Sequence, residues 1–336
     1  MIKSDIVVGM SYGDEGKGKI TNHLLKENTY DRCVRFNGGC NAGHTIYEND
    51  QVVITHHVPA GILHGVKSVI GPGCVIDPDK FIQEMDMLTA AGFDVYGNVF
   101  IAQNAHVILD KHKEVDGIET RIGTTRSGNG PAYSAKYART GVRAEHVEKL
   151  KDFMIDYYSD LDYLRSVGGK VLFEGAQGFG LDIDYGEYPY VTSSHCTSAG
   201  AMLNGISWKE VNRVYGVSKC YDTYVGAKSF QDQNDSMLGE FQRIGKEFGA
   251  TTGRKRQCNY LDLDLLARAV ASNGVTDIIF NKLDILQETN TWKVIRNKTL
   301  MNCYNEREFK SFVESVVWKI DRGVIISWSN NPETIW

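Results

Sequence analysis

A chain of 336 residues with 42% hydrophobic content can bury a large core, which excludes a disordered segment. Its formal net charge of −5 comes from interspersed acids and bases, so no basic stripe offers a footprint for nucleic acid, and no apolar run approaches the ~18 residues of a membrane span. Seven scattered cysteines without CxxC spacing argue against a disulfide framework or zinc site, and with no signal-peptide pattern the expected location is the cytoplasm.

In chain order, apolar β-rich runs over 6–8, 52–55, 66–70, 99–102, 171–173, 214–217, 278–280 and 324–326 predict strands. Between them, helical patterns run over 20–26, 79–91, 147–167, 261–272 and 306–320. Such alternation predicts an α/β fold: a single large domain over 1–336, with a mostly parallel central sheet, helices on both faces and a phosphate-loop-like nucleotide site. The 34 glycines gather in loops after strands, where ligands approach the backbone of open α/β sheets.

The first such loop is the most informative. Gly13-Asp14-Glu15-Gly16-Lys17-Gly18-Lys19 lies between a strand and a helix, and its backbone N–H groups suit phosphate. Ile20 stands where that motif places a magnesium-binding hydroxyl, so Asp14 becomes the candidate metal ligand or proton acceptor. His44, in the polar turn Asn41-Ala42-Gly43-His44-Thr45, is placed where a cation can stabilise a transferring phosphoryl group. His56 and His57, read as adjacent on a strand, point to opposite faces and do not share a metal. The loop 122–131, containing Thr125, is dense in glycine and hydroxyls; it can hold a monophosphate and is equally a surface turn. Thr251, Thr252, Arg254, Lys255 and Arg256 set hydroxyls and cations in a glycine-flanked loop suited to carboxylates, although alone they also read as a solvated basic loop. Asn281-Lys282-Leu283-Asp284 follows a strand; its Asp284 can accept both the N1–H and the 2-amino group of guanine, which favours GTP as phosphoryl donor.

Taken in order, GDEGKGK at 13–19, NAGHT at 41–45, IGTT at 122–125, GPAY at 130–133, EGAQG at 174–178, YPYVTSS at 188–194, GATTGR at 249–254 and KLD at 282–284 resemble adenylosuccinate synthetase across nearly the whole chain. The short length looks like the compact archaeal or phage-type members. The resemblance implies a ligase that joins L-aspartate to C6 of a 6-oxopurine mononucleotide through a 6-phosphoryl intermediate, using GTP (or ATP) and Mg²⁺. It implies Asp14, His44, Gln177 and Lys17 as catalytic residues and Asp14 with the Gly43 carbonyl as metal ligands. Ser11, Asn41, Thr125, Arg139, Gln177, Thr192 and Arg254 would hold the substrate nucleotide, with Arg139 reaching in from the partner subunit of a homodimer. Thr251, Thr252, Arg254 and Arg256 would grip L-aspartate. Gly13, Glu15, Gly16, Lys17, Gly18, Lys282, Asp284 and Ser327 would hold GTP.

The chain departs from the family pattern near the nucleotide: Ser11-Tyr12 replaces Gln-Trp, Arg126-Ser127 replaces Gly-Arg, and Tyr224 to Ser229 is altered. Ser11 is smaller than Gln and carries an oxygen, so the departures favour dGMP or GMP over IMP, as in phage relatives that make 2-aminoadenylosuccinate. IMP is the alternative substrate. A guanine-nucleotide switch that ligates nothing is a third reading, but it leaves EGAQG, NAGHT and GATTGR unexplained.

Overall fold

The structure, a computed structural model, describes residues 1–48, 51–249 and 253–331. Strand Lys3–Gly9 lies in the interior of a nine-stranded sheet and pairs with Lys170–Glu174 on one side and Val211–Lys219 on the other. Beyond Lys170–Glu174 follow Arg32–Arg35, Ser68–Ile70, Val99–Ala102 and Met154–Ile155; beyond Val211–Lys219 follow Asp277–Asn281 and Ile325–Trp328. Every pairing in this sheet is parallel. Loops following several of these strands therefore open on one edge, where α/β sheets bind ligands.

Alternation along the strands separates two cores. Val7, Leu172, Val217 and Ile279 pack with Ile20, Leu24 and Leu25 of helix Lys17–Glu27 on one face. Ile6, Val8, Phe173, Ile278 and Phe280 belong to the other core, with Leu161 and Leu164 of helix Tyr157–Val167, Leu266 of Leu263–Asn273, and Val313 and Val317 of Glu306–Ile320. These helices start where the sequence caps them. Asp156 accepts from the Ser159 N–H, Asp262 from those of Asp264 and Leu265, and Asn305 from that of Glu308.

A second, four-stranded sheet runs in the order Tyr221–Tyr224, Gln257–Asp262, Lys293–Arg296, Thr299–Asn302. Its first strand continues from Val211–Lys219 after one residue, which ties this sheet to the ligand edge of the large one.

Three expectations are corrected and one strand is added. The helix read over 147–167 is a 3₁₀ turn (Glu148–Phe153), the edge strand Met154–Ile155 and helix Tyr157–Val167; the Asp156 cap sets the true start. The run at 52–55 is a strand, but Gln51–Thr55 pairs antiparallel with His44–Glu48 outside the large sheet. His56 and His57 lie past the end of that strand, where the N–H groups of both, and of Val58, donate to the Glu84 carboxylate. Arg32–Arg35 is a sheet strand that the pattern hid, because its two arginines break the apolar run. Among the described residues no helix is long and apolar enough to cross a membrane.

Candidate active site

The glycine-rich loop folds around its own glutamate. Glu15 is buried, and its Oε1 accepts from the N–H groups of Ser11 (3.1 Å) and Gly13 (2.8 Å) while Oε2 takes Lys17 Nζ at 2.6 Å. Glycine is required around it. A Cβ on Gly9 would lie 2.6 Å from the Gln177 carbonyl oxygen, and one on Gly178 2.5 Å from that of Ser11. Helix Lys17–Glu27 begins directly after this loop, so its free N–H groups and positive dipole end face the same opening.

Asp14 sits at φ 60° between these elements, part-exposed, with Oδ2 accepting from Arg256 Nε at 2.8 Å. Arg256 is itself anchored, since its Nη1 donates to buried Glu247. Glu247 also accepts from Lys219 Nζ (2.9 and 3.0 Å) and the Tyr221 hydroxyl (2.5 Å). Against the penalty of burial, Lys219 and Arg256 hold the Glu247 carboxyl down at about 2. The loop aspartate is thus joined, through one guanidinium, to a buried ionic cluster where the two sheets meet.

Across the loop lies His44, so close that a Cβ on Gly18 would be 3.0 Å from its own. Its Nδ1 bonds Glu174 Oε1, and Arg35 Nη2 donates to the same oxygen at 2.9 Å. Burial, then the Arg35 charge, push the His44 ring down to about 4, whereas Arg35 and His44 overcome burial to hold Glu174 at about 2. The resting state is therefore a neutral imidazole whose Nδ1–H donates to a carboxylate.

Gln177 follows strand Lys170–Glu174, at φ 57°. Its Nε2 donates to Asn41 Oδ1 at 3.4 Å, while its buried Oε1 has no hydrogen-bond partner among the described residues. Ser11, at the start of the glycine loop, adjoins this turn because its carbonyl accepts from the Gly180 N–H at 2.7 Å. Tyr12 packs edge-on against Tyr224 and Phe230.

Lys282 and Asp284 follow strand Asp277–Asn281, and Ser327 lies in the neighbouring strand Ile325–Trp328. Asn281 Nδ2 donates to the Glu15 carbonyl at 2.8 Å, which couples this end to the glycine loop. Asp284 lies in the first turn of helix Leu283–Thr289, and Lys282 Nζ donates to the Gly245 carbonyl at 3.0 Å. Ser327 pairs with Ile279 across the strands. Lys19 joins them, with Nζ on Asn281 Oδ1 (3.1 Å) and Ser329 Oγ (2.5 Å). Burial lowers its ammonium to about 8, against the pull of Asp284.

Among the remaining positions, Arg254 Nη1 donates to the Gly123 carbonyl at 2.9 Å and so joins the basic loop to the loop of Thr125. Thr192 donates its N–H to the Leu181 carbonyl at 2.8 Å. Arg139 is exposed at the C-terminal cap of helix Asn129–Ala138. Thr251 and Thr252 lie outside the described residues.

Mg²⁺ prefers oxygen ligands and keeps phosphate oxygens and waters in its shell. The part-exposed carboxylate of Asp14 and the carbonyl of Gly43, next to His44, are donors of that class beside the phosphate loop. Among the described residues the one acidic and histidine cluster with metal-ligand spacing is Asp182, Asp184 and His195. Its central carboxylate, Asp182, already accepts from three backbone N–H groups.

Sequence reading missed the supports: Arg35, Glu174, Lys219, Asp222, Glu247 and Lys19. Glu174 and Lys19 stand inside recognised motifs, and a charge closing an apolar strand was the available signal for Arg35 and Lys219. Nothing in the local pattern marks Glu247.

The sequence profile of adenylosuccinate synthetase matches residues 6–153 and 144–315. Adenylosuccinate synthetase of Chlorobium phaeobacteroides is 40% identical over 333 residues, covering 84% of this chain and 76% of the relative. That of Thermodesulfovibrio yellowstonii is 38% identical over 338 residues, covering 86% and 79%. The fully ligated adenylosuccinate synthetase of Plasmodium falciparum superposes with a TM-score of 0.84 at 28% identity, covering 98% of this chain and 97% of that one. A cyanophage S-2L succinoaminodeoxyadenylate synthetase bound to dGMP and dATP shares the fold, with a TM-score of 0.72 at 24% identity over 94% and 99%. With a profile match over most of its length and relatives at this identity, the chain belongs to the adenylosuccinate synthetase family.

Proposed function

We propose that this ligase of the adenylosuccinate synthetase type joins L-aspartate to C6 of a guanine mononucleotide, dGMP or GMP, with GTP as donor. The observation that carries the ligation is the convergence of Asp14, His44 and Gln177 on one loop edge. In this reading Asp14, oriented by Arg256, takes the proton from purine N1. The O6 oxygen then attacks the γ-phosphorus and the bond to the GDP oxygen breaks. Next the aspartate amino nitrogen attacks C6, the C6–O bond breaks, inorganic phosphate leaves with the proton the nitrogen gives up, and an N6-succinyl purine nucleotide remains.

A positive charge on His44 is favoured as the anionic phosphates arrive, since they offset the burial and Arg35 repulsion that keep the free ring neutral. Lys17 adds a second cation, held in place by Glu15. Gln177 turns its unpartnered Oε1 to a ligand N–H. Mg²⁺, on Asp14 and the Gly43 carbonyl, would supply charge neutralisation at the phosphoryl oxygens. Asn41, Thr125 and Thr192 hold the 5′-phosphate, joined by Arg139 from the second subunit of a homodimer. Arg254 and Arg256 grip the aspartate carboxylates with Thr251 and Thr252, and Asp284, Lys282 and Ser327 read the donor base.

The guanine preference is supported by Ser11, a shorter side chain bearing an acceptor oxygen where the family carries Gln. IMP is the second reading, favoured by relatives near 40% identity that bear the name adenylosuccinate synthetase. Competition in one reaction decides it: with GTP, Mg²⁺, L-aspartate and equal IMP and dGMP, the 2-amino succinyl product should dominate by at least about tenfold in a chromatographic assay. A predominance of the IMP product overturns the guanine assignment, and absence of aspartate-dependent phosphate release overturns the ligase.

A further inference from the structure

Ser11 is 6% exposed, and its hydroxyl donates to Asp222 Oδ1 at 2.5 Å. Asp222 is 2% exposed, on strand Tyr221–Tyr224 of the small sheet, and its Oδ2 accepts the Asp262 N–H at 2.9 Å. No cation bonds this carboxylate among the described residues, which is unusual for a buried acid. A serine hydroxyl has one proton to give and lone pairs to accept with. Once its proton is committed to Asp222, Ser11 Oγ can only accept.

We infer that Asp222 is a positioning residue that fixes Ser11 Oγ as an obligate acceptor for the exocyclic 2-amino group of the substrate purine, making the Ser11–Asp222 pair the determinant of guanine over hypoxanthine. This rests on the proposed guanine specificity. Hypoxanthine carries only C2–H at that edge, so it gains nothing from the acceptor and leaves it unpaired. The location agrees, because the Ser11 carbonyl is tied to Gly180 in the turn that presents Gln177 and its open acceptor.

The pair also titrates. Burial pushes the Asp222 carboxyl up to about 7, further raised by the nearby charges of Asp262 and Glu15 and opposed by bonds from Ser11 and the Asp262 N–H. The ionisable groups facing it are Asp262 at the end of the neighbouring strand Gln257–Asp262, Glu15 with its partner Lys17 in the loop, and the Tyr12 phenol. Protonated, Asp222 can donate to Ser11 Oγ, which frees the serine proton to point at the ligand and oppose an N–H₂ group. Guanine preference should therefore be strongest above about pH 7 and shrink below it.

The test compares kcat/KM for dGMP and dIMP in the wild-type enzyme, Ser11→Ala and Asp222→Asn at about pH 6 and about pH 8. We expect wild type to prefer dGMP at the higher pH, both variants to lose at least tenfold of that ratio (about 1.4 kcal/mol), and the loss to fall on KM for dGMP. The wild-type ratio should also drop at the lower pH while that of Ser11→Ala stays level. Wild-type preference for dIMP removes this inference together with the guanine reading. A dGMP preference that survives both substitutions removes the inference alone. Should neither variant fold, a wild-type ratio that does not change between the two pH values overturns it.

Discussion

Glu174 supports the chemistry without facing the opening. It shares one oxygen between Arg35 and His44, while its other oxygen accepts the Ala60 N–H at 2.8 Å. Removing its charge leaves Arg35 buried without a counter-ion and frees the His44 ring to turn. Glu174→Gln should cost about 3–5 kcal/mol in urea unfolding and lower kcat by at least about 10²-fold. The pH sign follows from its depressed carboxyl, at about 2 against an ordinary 4.5. Its stabilisation is complete above about 4.5 and lost as pH falls towards 2, so the gap between wild type and Glu174→Gln should close over that window. The sequence showed Glu174 only as the first letter of a motif. Its part in the site depends on Arg35, 139 positions away, and on a strand pairing that no local pattern displays.

At the scale of elements, strands 6–8, 99–102, 171–173, 214–217 and 278–280 were legible because they are buried except at half-buried Phe100 and Tyr215 and read as apolar runs. Helix Glu306–Ile320 was legible to the residue, since its apolar stripe and Asn305 cap agree. The small sheet was not, as its strands mix tyrosine, asparagine, aspartate and lysine and owe their state to pairing. The motif that follows strand Asp277–Asn281 merged two separate positions. Asn281 braces the glycine loop through the Glu15 carbonyl, whereas Asp284 lies free of that brace in the next helix. Asp284→Asn should therefore leave the loop intact and lower the ratio of kcat/KM for GTP over ATP by about 10–100-fold. Comparable wild-type use of ATP and GTP would refute the guanine-reading role of Asp284.

For the whole molecule, the role proposed for Arg139 sets the minimal active unit. It is exposed at the end of helix Asn129–Ala138, while the candidate catalytic groups cluster at the carboxyl edge of the sheet. If a second subunit receives this side chain, the smallest competent species is a dimer. Arg139→Leu and Asp14→Asn chains, each inactive alone, should regain up to about a quarter of wild-type activity when co-refolded, because a mixed dimer carries one intact site. Confirmed heterodimers without recovered activity would confine each site to a single chain.

The cysteines give the fold a built-in clock. All seven are free thiols, and Cys33, Cys40, Cys74, Cys196, Cys220 and Cys258 are buried. The large and small sheets hold one each: Cys33 lies in strand Arg32–Arg35, with its Sγ donating to Glu174, and Cys258 lies in strand Gln257–Asp262 of the small sheet, while Cys40, Cys74, Cys196 and Cys220 lie in loops. Because a thiol reagent reaches a closed-in sulfur only when its surroundings open, the labelling rate of each cysteine records how often that region breathes. The same side chains that pack silently in the resting protein can thus time whether the small sheet loosens before the large one, and whether bound nucleotide stills them both.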